Sequence, residues 1–177
     1  MNGKPELTKK SALIVIAAEN FNEEEFIVIR DSLEKSGIKI FIASDCNNLC
    51  TGADGMRVKN DIKLFNIHER NFGGIVFVGG SGIKNYWQNR KLHKVAADFF
   101  KAKKPIAAIC SSVVILAKAG ILSGLSATCW KEDEKELHFE NIQVKDSPVV
   151  IRKNIITGNG PESAQEFINA FISKLKN

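Results

Sequence analysis

The sequence predicts an α/β fold in which a mostly parallel sheet carries helices on both faces. Short and nearly continuous apolar runs, typical of strands buried on both sides, alternate along the chain with amphipathic stretches. The first run is ALIVIAA at 12–18, and the clearest amphipathic stretch runs from 89 to 103. This alternation indicates βαβ units with right-handed crossovers.

Each predicted element has a recognisable beginning or end. The predicted strands are 12–18, 38–43, 74–78, 106–109, 125–130, 142–144, 149–152 and 154–157. The predicted helices are 22–36, 89–103, 111–119 and 161–174. Gly37 and Gly120 suit the positions just past the first and third helices, and Pro105 stops the second. Pro161 lies near the first turn of the last helix, where proline is favoured.

Length and composition favour one domain over residues 1–177, with residues 1–10 as a loose polar extension. That extension lacks the apolar segment of a signal peptide, and no apolar run reaches the roughly 18–20 residues of a membrane helix. We therefore expect a cytoplasmic protein that does not bind membranes. The net charge of +5 is spread along the chain, which is typical of a solvated surface and not of nucleic-acid binding.

Three predicted loops lie at the carboxyl ends of strands, where open parallel sheets bind ligands. These loops are 19–22, 79–82 and the pair Cys110-Ser111. We therefore expect the fold to gather an acidic cluster, a pair of glycines and a thiol at one edge of the sheet.

Cys110 falls where a predicted buried strand stops and a helix begins at once. A side chain at such an elbow stands above the sheet, close to a helix N-terminus, which favours a thiolate. The backbone N–H groups of Ser111 and of the Gly79-Gly80 pair are suited to binding an oxyanion. The alternative is that Cys110 is a small buried hydrophobic residue, as free cysteines often are.

Glu25 has two interpretations. It lies three residues after Asn22, which is the spacing of a capping box at the start of a helix. It also falls in the first helical turn at the predicted edge, where a protonated carboxyl would donate a hydrogen bond to the sulfur of Cys110 and activate it. Glu23 and Glu24 are expected to face solvent.

Five stretches together resemble the ThiJ/PfpI family, which includes the Parkinsonism-associated deglycase and an archaeal intracellular protease. They are NFNEEEF, GIKIFIAS, IVFVGG, KPIAAICSS and IITGNGPESAQEF. The resemblance extends from about Ser11 to the C-terminus. It implies a flavodoxin-like three-layer sandwich that is usually dimeric and sometimes hexameric.

The resemblance also implies roles for particular residues. Cys110 matches the reactive cysteine of the family, and Glu25 matches the glutamate that touches it. Gly80 and Ser111 match the positions whose backbone amides form the oxyanion site. We therefore take Cys110 and Glu25 as candidate catalytic residues.

The chain departs from the family pattern at several positions. Protease-type members carry a histidine directly after the cysteine, where this chain has Ser111. Deglycase-type members place a histidine near the pocket at the position that Cys129 matches, and Asn159 replaces an arginine of the last loop. Val78 replaces a proline before the glycine pair. Gly79, Cys129 and Asn159 are the candidate pocket residues.

On sequence grounds, none of the three histidines is expected to replace the family histidines that are absent beside the cysteine. His68 precedes the third predicted strand and so lies at the wrong end of the sheet. His93 lies on a helix and is expected to be exposed. His138 lies in a charged segment, where it is either a surface residue or folded toward a pocket.

The remaining cysteines form two cases. Cys46 and Cys50 have C-x₃-C spacing without the second pair that a zinc site needs, so we expect loop thiols near a dimer contact and no metal. Cys129 is either a small buried residue or a resolving thiol that forms a disulfide with a sulfenate at Cys110. Peroxide treatment followed by non-reducing peptide mapping separates those two interpretations.

The resemblance favours a cofactor-free glyoxalase or deglycase that acts on small carbonyl compounds as a homodimer, or as a hexamer. Three alternatives stay open at this point. They are a redox sensor or stress-protective binding protein that uses the oxidation of Cys110, an intracellular cysteine peptidase, and an inert relative with a vestigial pocket. The peptidase is the weakest of these, because cysteine nucleophiles rely on a nearby base and the usual histidines are absent.

Overall fold

The computed structural model describes residues 11–177. Its strands are β1 (Ser11–Val15), β2 (Glu19–Phe21), β3 (Lys39–Ser44), β4 (Leu49–Gly52), β5 (Arg57–Lys59), β6 (Ile62–Lys63), β7 (Gly74–Phe77), β8 (Ile106–Ile109), β9 (Ser126–Ala127), β10 (Gln143–Val144), β11 (Val149–Arg152) and β12 (Ile155–Gly158). Its α-helices are α1 (Glu23–Lys35), α2 (Arg90–Lys101), α3 (Val113–Lys118), α4 (Glu134–Phe139) and α5 (Ala164–Lys176). Residues 1–10, predicted to be a loose extension, lie outside the described residues.

The central sheet has seven strands in the order β11-β12-β8-β7-β1-β3-β6. Neighbouring strands are parallel except β11 and β12, which pair antiparallel at one edge. Strand β1 pairs with β3 on one side and with β7 on the other, so the order of strands reverses beside β1. Ligand sites in such sheets lie at the carboxyl ends of the strands at this reversal. The predicted fold class is confirmed.

Both faces of the sheet are covered by helices. Leu13 and Val15 of β1 pack into the core that also contains α2 and α3 residues. Ala12 and Ile14 pack into the opposite core, with residues of α1 and α5. Because successive strand side chains point to opposite faces, burial on both sides requires a continuous apolar run.

The short elements differ most from the prediction. Strands β2, β4 and β5 form a separate small sheet, and only Ser126–Ala127 of the predicted strand 125–130 is a strand, paired with β10. Helix α4 was not predicted, because half of its sequence EKELHF is charged and it has a single fully buried residue, Leu137. Between residues 11 and 177, none of the helices is both long and apolar enough to cross a membrane.

Candidate active site

The backbone turns sharply at Cys110. Strand β8 ends at Ile109, and Cys110 opens a 3₁₀ turn that leads into α3. The φ angle of Cys110 is 60°, a left-handed conformation that costs a residue with a side chain about 1–3 kcal/mol. Tertiary hydrogen bonds hold the turn: the hydroxyl of Ser112 donates to Phe77 O at 2.9 Å, and Trp87 Nε1 donates to Ser111 O at 2.8 Å. The predicted elbow is therefore present in the backbone.

Gly79 lies between Cys110 and Glu25. A Cβ at this glycine would lie 2.6 Å from Cys110 Cβ and 2.7 Å from Glu25 Oε2, so no larger residue fits. The amide of Gly79 donates to Glu25 Oε2 at 2.7 Å. The loop after β7 thus brings together a carboxyl from α1 and a thiol from the end of β8.

Gly80 places a second amide at the thiol. Its φ angle is +105°, and a Cβ there would lie 2.5 Å from Asn20 O and from Asn22 N. The backbone amides of Ser111 and Gly80 act on the sulfur of Cys110 in the direction that lowers its pKa. The two amides that the resemblance assigned to an oxyanion site therefore converge on one atom.

The start of α1 distinguishes between the two interpretations of Glu25. The side chain of Asn22 accepts from Glu25 N at 2.9 Å, so Asn22 is the N-cap. The reciprocal half of a capping box is missing, because Asn22 N donates to Gly79 O at 3.0 Å. The Glu25 carboxyl is fully buried and points to the thiol instead.

Burial raises the pKa of Glu25 from 4.5 to about 7. The Gly79 amide and the Cys110 thiol oppose this rise by hydrogen bonding, and the charge of Glu24 adds to it. Oxygen Oε1 of Glu25 has no hydrogen-bond partner among residues 11–177. Near neutral pH, Glu25 is therefore able to hold or release a proton beside the sulfur.

Burial also raises the pKa of Cys110, to about 12, and the negative charge of Glu25 adds to the rise. The amides of Ser111 and Gly80 lower it, as expected for an oxyanion site, but they do not outweigh burial. Only 6% of Cys110 is exposed. Burial therefore opposes ionisation of the thiol, whereas the two amides and the helix start favour the thiolate.

Two of the candidate pocket residues, Cys129 and Asn159, line one cavity of about 580 Å³, together with Glu24 and Trp130. This volume suits a small molecule. Cys110 and Gly79 are not among the lining residues.

Burial raises the pKa of Cys129 to about 12, and the charges of Asp133, Glu134 and Cys110 contribute, so the two free thiols lie within electrostatic range.

Sequence inspection missed Asp133 and Lys84. The hydroxyl of Ser111 donates to Asp133 Oδ2 at 2.5 Å, and Lys84 Nζ donates to Asp133 Oδ1 at 2.7 Å. Asp133 is 2% exposed although it lies in the charged run KEDEKE. Nothing in that run separates a buried aspartate from its exposed neighbours.

The histidines lie away from the thiol. His68 and His138 are exposed. The prediction that His93 is exposed is wrong, because it is partly buried and its Nε2 lies 2.8 Å from Trp87 O. His93 thus contacts the residue that holds the elbow, without contacting the elbow itself.

Two further predictions about polar side chains are corrected. Cys46 and Cys50 are joined by a disulfide, so the prediction of free loop thiols is wrong; strand β4 brings Cys50 next to the loop after β3. Glu23 does not simply face solvent, because its Oε1 accepts from Asp54 N and Met56 N, both at 2.8 Å. Glu24 is exposed, as predicted.

Comparison with known proteins gives consistent matches over almost the whole chain. The model of the DJ-1/PfpI family matches residues 10–174. A deglycase of Pyrococcus horikoshii is 26% identical over 93% of this chain and 99% of its own. A glutathione-independent glyoxalase of Caenorhabditis elegans is 27% identical over 95% of this chain and 90% of its own. A solved ThiJ/PfpI domain protein from Brachyspira murdochii, 31% identical, superposes with a TM-score of 0.92, covering 94% of this chain and 96% of that one.

Proposed function

The chain belongs to the DJ-1/PfpI family, and from this premise we propose that it is a cofactor-free enzyme of the glyoxalase or deglycase type. Its substrates in this proposal are small reactive carbonyl compounds. The observation that carries the proposal is the contact of Cys110 and Glu25 on either side of Gly79, with two amides directed at the sulfur. The names of two relatives, a deglycase and a glyoxalase, support the reaction class.

In the proposed reaction, the sulfur of Cys110 bonds to the aldehyde carbon while the electron pair of the C=O bond moves to oxygen. The amides of Gly80 and Ser111 are suited to holding that oxygen, and protonated Glu25 to giving it a proton. For methylglyoxal, the Glu25 carboxylate then takes the proton from the former aldehyde carbon and returns a proton to the neighbouring carbon, while the hydroxyl proton of the first carbon moves to the ketone oxygen. The product of this step is a thioester of lactate on Cys110. Water hydrolyses the resulting thioester, which releases lactate and restores the thiol.

The experiment is lactate formation from methylglyoxal by the purified protein. We expect Cys110→Ala to reduce the rate by at least about 10³, because the covalent step is lost. The matched control is Cys46→Ala, which removes a cysteine of the disulfide outside the site and should retain most of the activity. If the wild-type protein forms no lactate, or Cys110→Ala equals it, the proposal is wrong.

The two main alternatives differ in what they require. A peptidase needs a base beside the nucleophile, and none of the histidines between residues 11 and 177 contacts Cys110. A redox sensor needs only an oxidisable thiol, so it stays a prediction. Because Cys46 and Cys50 are already joined, Cys129 is the thiol with which oxidation of Cys110 should be compared.

A further inference from the structure

Ser111 is held by two residues from distant parts of the chain. Its hydroxyl donates to Asp133 Oδ2 at 2.5 Å, and its carbonyl oxygen accepts from Trp87 Nε1 at 2.8 Å. Its own amide is one of the two that act on the sulfur of Cys110. The residue that supplies this amide therefore receives two bonds that determine where the amide points.

These two bonds belong to a closed ring of contacts. Lys84 Nζ donates to Asp133 Oδ1 at 2.7 Å and lies 5.2 Å from the centre of the Trp87 ring. Because Trp87 and Asp133 both bond to Ser111, the ring closes there. Both carboxylate oxygens of Asp133 have a partner, and the residue is 2% exposed. A buried carboxylate of this kind is costly to disturb, since the loss of one partner leaves its charge uncompensated.

The ring also connects the two segments that carry the amides of the site. Lys84 lies in the 3₁₀ turn that begins directly after Gly80, whereas Ser111 lies in the 3₁₀ turn at the elbow. Asp133 comes from a third segment, the 3₁₀ turn before α4, and bonds to both of the others. One side chain thus ties the segment of Gly80 to the segment of Ser111.

The elbow needs such support, because its backbone conformation is strained. Cys110 has a φ angle of 60°, and residues with a side chain keep this left-handed conformation only where the surrounding structure imposes it. On one side of the elbow, the hydroxyl of Ser112 donates to Phe77 O at 2.9 Å. On the other side, Asp133 holds the Ser111 hydroxyl. Loss of that bond should let the peptide between Cys110 and Ser111 relax, so that its amide turns away from the sulfur.

We propose that Asp133 is a positioning residue, which fixes the amides of Gly80 and Ser111 in the arrangement that stabilises negative charge at the site. Amides held in place stabilise such a charge because they need not reorient when it appears. The inference rests on the proposed function for the oxyanion of the substrate. The stabilisation of a thiolate at Cys110 by the same amides requires no turnover, and it supplies the test.

Position and charge have opposite effects at this site. A negative charge near Cys110 disfavours its thiolate, so if Asp133 acted through charge alone, its removal would make Cys110 ionise more readily. If Asp133 positions the amides, its removal makes Cys110 ionise less readily, because a charge-assisted hydrogen bond to the sulfur is weakened. The sign of the change therefore separates the two roles.

The test measures the rate at which iodoacetamide alkylates Cys110, by peptide mass spectrometry, from pH 4 to pH 10. Asp133→Asn keeps the shape of the side chain, but an amide cannot accept from both Lys84 and Ser111 as a carboxylate does. We expect this variant to displace the profile of rate against pH toward higher pH by about 1 unit, which corresponds to about one hydrogen bond to a charged group.

A double-mutant cycle shows whether Asp133 acts through Ser111. Ser111→Ala removes the hydroxyl but keeps the amide and the Lys84–Asp133 ion pair, so it reports on the same bond if Asp133→Asn folds poorly. It should displace the profile in the same direction, and the addition of Asp133→Asn should displace it no further. Ser111→Thr restores a hydroxyl and should return the profile toward that of the wild type.

Glu132→Gln is the matched control, because Glu132 is the exposed neighbour of Asp133 in the same turn, and it should leave the profile unchanged. An unchanged profile in Asp133→Asn, or one displaced to lower pH, would overturn the proposal. So would an equal displacement by Asp133→Asn with and without the Ser111 hydroxyl, since Asp133 would then not act through Ser111. A wild-type protein that forms no lactate would refute the proposed function and leave this result standing.

Discussion

The two pairs of cysteines lie in opposite surroundings. Cys46 and Cys50 form a disulfide between the loop after β3 and strand β4, in ordinary backbone conformations. Cys110 and Cys129 are buried free thiols, and Cys110 has a left-handed backbone with two amides and a carboxyl around its sulfur. Cys46 and Cys110 each follow a strand of the main sheet, β3 and β8 respectively. The difference teaches that a thiol site depends on residues distant in sequence, here Gly79 from the loop after β7 and Glu25 from helix α1, and not on the cysteine's sequence neighbours alone.

The largest expected effect on stability comes from filling the space at Gly79, next to Cys110. In Gly79→Ala, a methyl group would meet Cys110 Cβ, Glu25 Oε2 and Ile109 O within 3.0 Å. We expect a loss of about 4 kcal/mol in the free energy of unfolding, because the side chain cannot be accommodated without moving the elbow. Urea denaturation measures this.

Gly55 supplies the matched control from the region of the disulfide. A Cβ there meets nothing within 4 Å, although its φ angle of +98° is unfavourable for alanine. We expect Gly55→Ala to cost about 1–2 kcal/mol, from backbone strain alone. Equal losses in the two variants would mean that Gly79 is not packed as tightly as the contacts of its position indicate.

The next largest effect is the pH dependence that Glu25 gives to stability. Burial raises the pKa of Glu25 from 4.5 to about 7 on folding. Below pH 4.5 the carboxyl is neutral in both states; between pH 4.5 and 7 the unfolded chain ionises while the folded chain keeps the proton, so stability falls. A glutamine at this position does not titrate. The stability of Glu25→Gln relative to wild type should therefore increase by about 3 kcal/mol from pH 4 to pH 8.

The measurement is the denaturant midpoint of both proteins across this pH range. Glu34→Gln is the control, because Glu34 is an exposed carboxyl near the other end of the same helix. Its stability relative to wild type should change little with pH. A constant difference between Glu25→Gln and wild type would show that the Glu25 carboxyl titrates in the folded protein as it does in the unfolded chain.

Sequence patterns predicted the sheet and the elbow because both depend on burial. The continuous apolar runs of β1, β7 and β8 fit only strands that are buried on both faces of the sheet. The immediate change from strand to helix after β8 places Cys110 at the carboxyl end of that strand. The burial of Asp133 and its ion pair with Lys84 could not be predicted, because a charged run carries no sign of which carboxylate folds inward. The Cys46–Cys50 disulfide was not predicted, because the expectation of free thiols rested on a reducing cytoplasm and not on the distance between the two cysteines.

The smallest effect concerns the disulfide, and it tests whether the two cysteine regions are independent. The Cys46–Cys50 bond closes a loop with a sequence separation of 4, so its loss should reduce the free energy of unfolding by only about 2 kcal/mol. Cys46→Ala is the suitable variant, because Cys46 is only partly buried whereas Cys50 is fully buried and would leave a cavity. The alkylation rate of Cys110 should not change, since the groups that act on its sulfur, Glu25, Ser111 and Gly80, lie outside β3 and β4. A changed alkylation rate of Cys110 in this variant would mean that the disulfide region and the elbow are coupled. The two cysteine regions would then not be independent.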